Sequence, residues 1–170
     1  MIEKPTIGTR EAKQFAAIAT AATMEESDIF GPLHREVYAW LESHGAIPSG
    51  PSFVRILTSD MTTKLDIEVG VPVDDPITGD DRITVGEIPP GWYVTLFYTE
   101  VDESDHIQAN VEIQEWAAKE GLEFQIDRSS GVEVWGGRFN FFHEDEGSDR
   151  DGVYELTYQV TDDSALATSR

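Results

Sequence analysis

Cysteine is absent from this 170-residue chain, which excludes a disulfide framework and any thiolate chemistry. No apolar run approaches the ~18 residues of a membrane-crossing helix. The N-terminal MIEKPTIGTREAK lacks the basic-then-apolar pattern of a secretion signal. A soluble, cytoplasmic protein that engages no membrane is therefore expected. Lysine occurs four times, at Lys4, Lys13, Lys64 and Lys119, and Lys plus Arg total 12 against 33 Asp plus Glu, a net charge of −21. A field of that sign repels phosphate backbones, so direct nucleic-acid binding is disfavoured.

Motifs for cofactor chemistry are also missing. His34, His44, His106 and His143 form no close pair, so no metal is expected. The acidic GSDRDG stretch has Gly147 where a calcium loop needs its first ligand and Tyr158 where it needs a bidentate Glu. There is no P-loop, no G-x-S-x-G and no Rossmann glycine pattern, and no cofactor is implied. Dense carboxylates with few lysines suit a high-salt setting, where screening tolerates like charges. On that reading the melting temperature rises between dilute buffer and molar KCl. Equal stability in both would assign the acidity to solubility alone.

What is present is apolar and aromatic: 39% hydrophobic residues, with eight Phe, five Tyr and four Trp, enough to bury a core. Residues 13–23, KQFAAIATAAT, fit a strand or a helix. SDIFGPLHREVYAWLESHG reads as a helix with Ser27 or Asp28 as cap, Val37, Trp40 and Leu41 on one face, and His44-Gly45 as its stop. Residues 52–58 and 65–73 read as strands around a turn at 59–64, the second with Leu65, Ile67, Val69 and Val71 opposite Asp66 and Glu68. DDPITGDD, 74–81, has the composition of a linker.

The order then begins again. Residues 87–100 open on Pro-Pro-Gly and continue as an aromatic strand. Residues 104–121 predict a second capped helix with Ile107, Val111 and a stripe of Ile113, Trp116 and Ala117. Residues 132–142 predict a strand whose Gly136-Gly137 pair marks a bulge or a close backbone approach. An acidic loop, a last strand over 153–160 and a frayed tail complete the chain. The helix segments EVYAWLESHG (36–45) and EIQEWAAKEG (112–121) align at an offset of 76, matching Glu36 with Glu112, Trp40 with Trp116 and Gly45 with Gly121. Strand–helix–strand–strand thus occurs twice, and each final strand has a central acid, Glu68 or Glu155. Duplication explains this better than two unrelated helices. Trp40 and Trp116, on helix stripes, are expected in the core.

EIPPGWYVTLFY, EIQEWAAKEGLEF, VWGGRFNFFHED and YELTYQV, in that order, resemble the GyrI-like effector-binding domain, over about residues 10–162. The resemblance implies an α+β fold of two tandem strand–helix–strand–strand modules with pseudo-two-fold symmetry, antiparallel sheets and helices packed on them. It implies one domain over 1–170, with modules near 10–73 and 82–162 and a linker at 74–81. Members of the family typically bind apolar or cationic small molecules in an aromatic-lined cleft between the modules that contains an acidic residue. Some stand-alone members resemble hydrolases of reactive alkylating compounds, and one inhibits DNA gyrase. Two departures stand out: Asn140 replaces an acid in Arg138-Phe139-Asn140-Phe141-Phe142, and Tyr98-Thr99-Glu100-Val101-Asp102 replaces a His-x-Gly-x-Tyr.

The expected function is a stand-alone binding protein for an aromatic or lipophilic compound, sensing or sequestering it through cation–π contact and one desolvated carboxylate. Candidate ligand-binding residues are Glu155, Glu68, Asn140, Trp92, Tyr98, Trp135, Phe142 and Tyr38. By alternation Trp92, Val94, Leu96 and Tyr98 oppose Tyr93, Thr95 and Phe97, and Phe139 and Phe141 oppose Arg138, Asn140 and Phe142; which face lines the cleft stays open. The alternative is a hydrolase with Glu155 or Glu68 as catalytic acid/base, because a buried Glu has a raised pKa. A third reading is an inhibitory module with a protein partner.

Overall fold

The structure, a computed structural model, describes residues 1–23, 26–59, 65–100, 102–143 and 152–168. The expected turn residues 60–64 and the expected acidic loop at 144–151 lie outside the described residues. Along the chain run β1 (Thr6–Arg10), β2 (Lys13–Ala22), α1 (Phe30–Ser43), β3 (Ser52–Ser59), β4 (Leu65–Pro72), β5 (Thr84–Ile88), β6 (Gly91–Thr99), α2 (Glu103–Lys119), β7 (Ile126–Asp127), β8 (Glu133–Trp135), β9 (Arg138–His143), β10 (Val153–Val160) and α3 (Asp162–Thr168). The fold is α+β, and the two expected units are β2-α1-β3-β4 and β6-α2-β9-β10.

One antiparallel sheet contains both units, in the order β1-β6-β10-β9-β3-β4-β2-β5, with β7 and β8 attached beside β3. The order is a palindrome: read from either end it gives an extra strand, a first strand, a last strand and a middle strand. The halves join where β3 pairs with β9, matching Phe53 with Phe141, Val54 with Asn140 and Arg55 with Phe139. A two-fold axis through the Val54–Asn140 pair exchanges Phe53 with Phe139 and Arg55 with Phe141. Arg55 lies opposite Glu68 on β4, and Phe141 lies opposite Glu155 on β10. Glu68 and Glu155 therefore occupy equivalent positions, as strand parity predicts.

Both helices lie on one face of the sheet. Alternation sends Val94, Leu96, Leu156 and Tyr158 toward Ala109, Ile113 and Ala117 of α2, and Ala16, Ile18 and Val71 toward Val37 and Leu41 of α1. The intervening residues of the same strands, such as Phe15, Ala17, Tyr93 and Thr157, are equally buried on the other face. Each helix ends at a glycine in the left-handed region, Gly45 at φ 68° and Gly121 at φ 75°, which accounts for the glycine both segments share. Asp102 caps α2 by accepting from the Ser104 N–H, within a capping box completed by Asp105.

Several expectations change. Residues 13–22 form a strand. The cap of α1 falls at neither expected position: a 3-10 turn over Ser27–Ile29 leads into the helix, and Ile29 stands at the cap without a side-chain bond. The expected strand 132–142 is interrupted between β8 and β9 at the Gly136-Gly137 pair, where the expected close approach is found: a Cβ on Gly137 would fall 2.6 Å from the Tyr93 hydroxyl. The tail forms α3, whose Ala165 is fully buried. Ile107 and Val111 are exposed, since Ala109, Ile113 and Ala117 form the inner stripe of α2. Trp40 and Trp116 are half-buried at core rims; Trp40 stacks on His44 and donates to Asp80 at 2.8 Å, tying α1 to the 74–81 segment.

Candidate functional site

The helix-free face is built around a buried aromatic cluster of Phe15, Phe53, Tyr93, Phe139 and Phe141, with Ala17 and Ile88. Phe53 meets Phe15, Phe139 and Phe141 edge-on at centroid distances of 5.0, 5.3 and 5.6 Å. Phe139 and Phe141 stack at 5.4 Å. These rings lie over the junction of the halves and fill it. What remains open lies to one side, around Glu155.

Two arginine–glutamate pairs border the cluster. Arg55 donates to Glu68 at 3.2 Å and to the Gly136 carbonyl at 2.8 Å, and its guanidinium carbon lies 5.3 Å from the Phe139 ring centre. Both members of this pair are largely buried. At the equivalent place beside Glu155 the sequence has Phe141 in place of arginine, so the counter-ion comes from elsewhere. Arg10, on β1, donates through Nη2 to Glu155 and to Thr95 Oγ1. Its guanidinium carbon sits 5.6 Å from the Tyr93 ring centre and 5.5 Å from that of Phe141. On the other side His143 Nε2 donates to Glu155 at 2.9 Å.

The two carboxyls differ accordingly. Burial pushes the Glu68 carboxyl above its ordinary pKa, and Arg55 offsets this only in part. Burial also pushes Glu155 upward, but the His143 hydrogen bond and the Arg10 charge outweigh it and hold the carboxyl below its ordinary value. The expectation of a raised pKa thus holds at Glu68 and reverses at Glu155, which stays ionised. Burial raises the Tyr93 phenol to about 12, against the opposing pull of Arg10 and Arg55.

Two open grooves flank Arg10 and Glu155. One, of about 390 Å³, is lined by Arg10, Glu11, Lys13, Ser49, Gly50, Pro51, Pro72, Ile88, Phe141, His143 and Glu155. The other, of about 410 Å³, is lined by Thr6, Ile7, Gly8, Thr9, Arg10, Tyr93, Thr95, Phe97 and Glu155. The Arg10–Glu155 pair is the wall between them.

Of the candidates drawn from the sequence, Glu155 lines both grooves and Glu68 lies on the same face behind Arg55. The others do not gather there. Tyr98, Trp92, Trp135, Asn140 and Phe142 belong to the helix-covered face, and Tyr38 is exposed on α1. Trp135 donates to Ser59 at 2.9 Å and lies 4.5 Å under the Arg138 guanidinium. Tyr98 bonds His106 Nδ1 at 2.6 Å, and Asn140 donates to the Tyr98 hydroxyl at 3.4 Å, leaving its own buried Oδ1 unpartnered. Burial raises the Tyr98 phenol and lowers the His106 imidazole, so both are neutral at pH 7. This network ties α2 to the sheet.

Arg10 and His143 are the site residues that sequence reasoning missed. One signal was available for Arg10: Thr6-Ile7-Gly8 recurs as Thr84-Val85-Gly86, at an offset of 78. It marks β1 and β5 as equivalent, with Gly8 opposite Tyr93 and Gly86 opposite Phe15. Among the described residues no group of three His, Asp or Glu side chains could hold a metal, and no helix is long and apolar enough to cross a membrane.

No protein-family model and no curated protein matches the sequence. Solved structures do match. The C-terminal domain of EcmrR superposes with a TM-score of 0.71 at 13% identity, covering 93% of this chain and 97% of that one. Against EcmrR in a complex with DNA the TM-score is again 0.71 at 13% identity, and the match covers 92% of this chain but 57% of that one. SAV2435 bound to tetraphenylphosphonium gives 0.60 at 8% identity, covering 94% of both chains. A hydrolase from Listeria innocua gives 0.61 at 11% identity, covering 93% and 92%. This chain shares the fold of the EcmrR C-terminal domain and of SAV2435. At these identities the fold is what is shared. In this chain the junction of the halves is the middle of the sheet, filled by Phe53 and its neighbours.

Proposed function

We propose that this protein binds a small aromatic or lipophilic molecule on the helix-free face, in the grooves beside Glu155. One observation carries the reading: a charged carboxyl, buried at 5% exposure, stands between two open grooves walled by Tyr93, Phe97 and Phe141. Burying an ionised group is costly unless it is paired, and here Arg10 and His143 pair Glu155 while leaving it at the wall of both grooves. SAV2435, with the same fold, binds tetraphenylphosphonium, which supports small-molecule capture as what this architecture does. The groove near 400 Å³ lies within the usual range for ligand sites.

Gly8 supplies the test. Its Cβ position meets nothing within 4 Å, and Gly8 lines the second groove, so Gly8→Trp fills that groove without displacing the core. Wild-type protein is expected to bind the uncharged fluorescent probe N-phenyl-1-naphthylamine, and Gly8→Trp to bind it at least about tenfold more weakly with an unchanged melting temperature. Probe fluorescence is the proper readout, because Trp40, Trp92, Trp116 and Trp135 all lie away from the grooves. A wild type that ignores the probe, or a Gly8→Trp variant that binds it equally, refutes the reading.

A second reading rests on the His143–Glu155 contact. A carboxylate held ionised at a groove wall can act as a general base, taking the proton of a water onto Glu155 while the His143 N–H holds the carboxylate in place. Hydrolysis would then vanish in Glu155→Gln while probe binding persists.

A further inference from the structure

We propose that Arg10 sets the charge preference of the groove: it is a built-in cation that occupies the cation position at Glu155 and turns the site toward ligands with an anionic or acceptor group. The inference rests on the binding reading above and names its ligand class.

The geometry at Arg10 is that of a cation site with the cation supplied by the chain. A guanidinium lies between the rings of Tyr93 and Phe141, at 5.6 and 5.5 Å, and against a buried carboxylate. Aromatic faces plus one carboxylate are what a lipophilic cation requires. With Arg10 in place that demand is met, and Glu155 is bonded by His143 as well. An incoming cation would have to break a charge-assisted pair and push Arg10 aside. An incoming acceptor meets the reverse situation. Arg10 is about one-third exposed, at 32%, against 14% for its counterpart Arg55, and it faces both grooves. Lys13 and His143 line the first groove with it, in a chain that has only 12 Lys plus Arg. The acids on that wall are Glu11 and the already paired Glu155, and Asp74 pairs with Lys13.

The register shows why this falls on one half only. Glu68 is closed by an arginine on the adjacent strand β3, buried and bonded also to the Gly136 carbonyl. At Glu155 the equivalent position is Phe141, and the cation comes instead from β1, at the place that is Ile88 in the other half. The half without an inner arginine has an outer one, and beside it two grooves.

Tetraphenylborate and tetraphenylphosphonium have the same shape and opposite charge, so their affinity ratio isolates the charge preference. Intrinsic differences in lipophilicity cancel when that ratio is compared between variants by calorimetry at fixed salt. Arg10→Gln is expected to shift the ratio at least tenfold toward the phosphonium, by exposing Glu155. Arg10→Lys is expected to leave it within about threefold of wild type, since the charge remains. The double variant Arg10→Gln/Glu155→Gln is expected to lose the gained phosphonium binding. A ratio unmoved by Arg10→Gln, or one shifted toward the borate, overturns the inference while leaving the groove as a binding site. Failure of wild type and every variant to bind either ion overturns the groove reading along with it.

Discussion

Phe53→Ala is expected to lower the unfolding free energy by about 3–5 kcal/mol, near the upper end for a single core truncation. The side chain is fully buried and touches the rings of Phe15, Phe139 and Phe141 edge-on. It thus links Phe15 of its own half to both Phe139 and Phe141 of the other across the β3–β9 junction. Edge-to-face contacts of this kind add about 0.5–1.5 kcal/mol each beyond their buried area. The neighbours cannot close the gap, because Phe139 and Phe141 are fixed by their strand and Phe15 fills the space beside Gly86, 2.6 Å from a would-be Cβ. Phe142→Ala, on the half-buried rim of the other face, is the control and should cost clearly less. Urea titrations with matched slopes measure both. A Phe53→Ala cost below about 1.5 kcal/mol would show that the junction is not held by its aromatic cluster.

Arg55→Met is expected to destabilise the protein by about 3–5 kcal/mol at neutral pH, the usual result of removing one partner of a buried pair. Glu68, whose pKa burial already raises, would lose the one charge opposing that rise. The sign of the pH dependence follows. A carboxyl with a folded pKa above its unfolded value binds its proton more readily when folded, so its penalty is present above the folded pKa and vanishes below the unfolded one. The gap between wild type and Arg55→Met should therefore narrow as pH falls toward 4.5. Adding Glu68→Gln should recover much of the loss at pH 7. A gap that widens on acidification, or a Glu68→Gln change that recovers nothing, would locate the role of Arg55 in its bond to Gly136 or its stacking on Phe139.

Some of this architecture is legible in the sequence and some is not, for physical reasons. Helix segments at 36–45 and 112–121 declare themselves because one-sided burial and a left-handed glycine stop leave a pattern at helical spacing. Parity finds Glu68 and Glu155, since an acid among inward apolar residues points the other way. Parity cannot say which face bears the helices. The central strands are buried on both sides, so Trp92 and Tyr98 look no different from Tyr93 and Phe97 by hydrophobicity. Large side chains such as Trp135 go where the helices leave volume to fill, which is why the aromatics that looked most suited to a pocket are structural. β1 is hidden for another reason. TIGTR has five residues, mostly polar and exposed, because an edge strand buries little, and its partner lies far along the chain.

That distance bears on how the molecule is made. β1 precedes β2 but pairs with β6, and β5 precedes β6 but pairs with β2: each half lends its leading strand to the other. Thr6 finds Thr95 and Met1 finds Thr99, so β1 waits for a strand far along the chain before it has a partner. Such long-range pairing slows folding and leaves an unpaired edge exposed meanwhile. Because Arg10 arrives with β1, Glu155 acquires its counter-ion only when this exchange is complete, and the grooves beside it are among the last parts of the molecule to form.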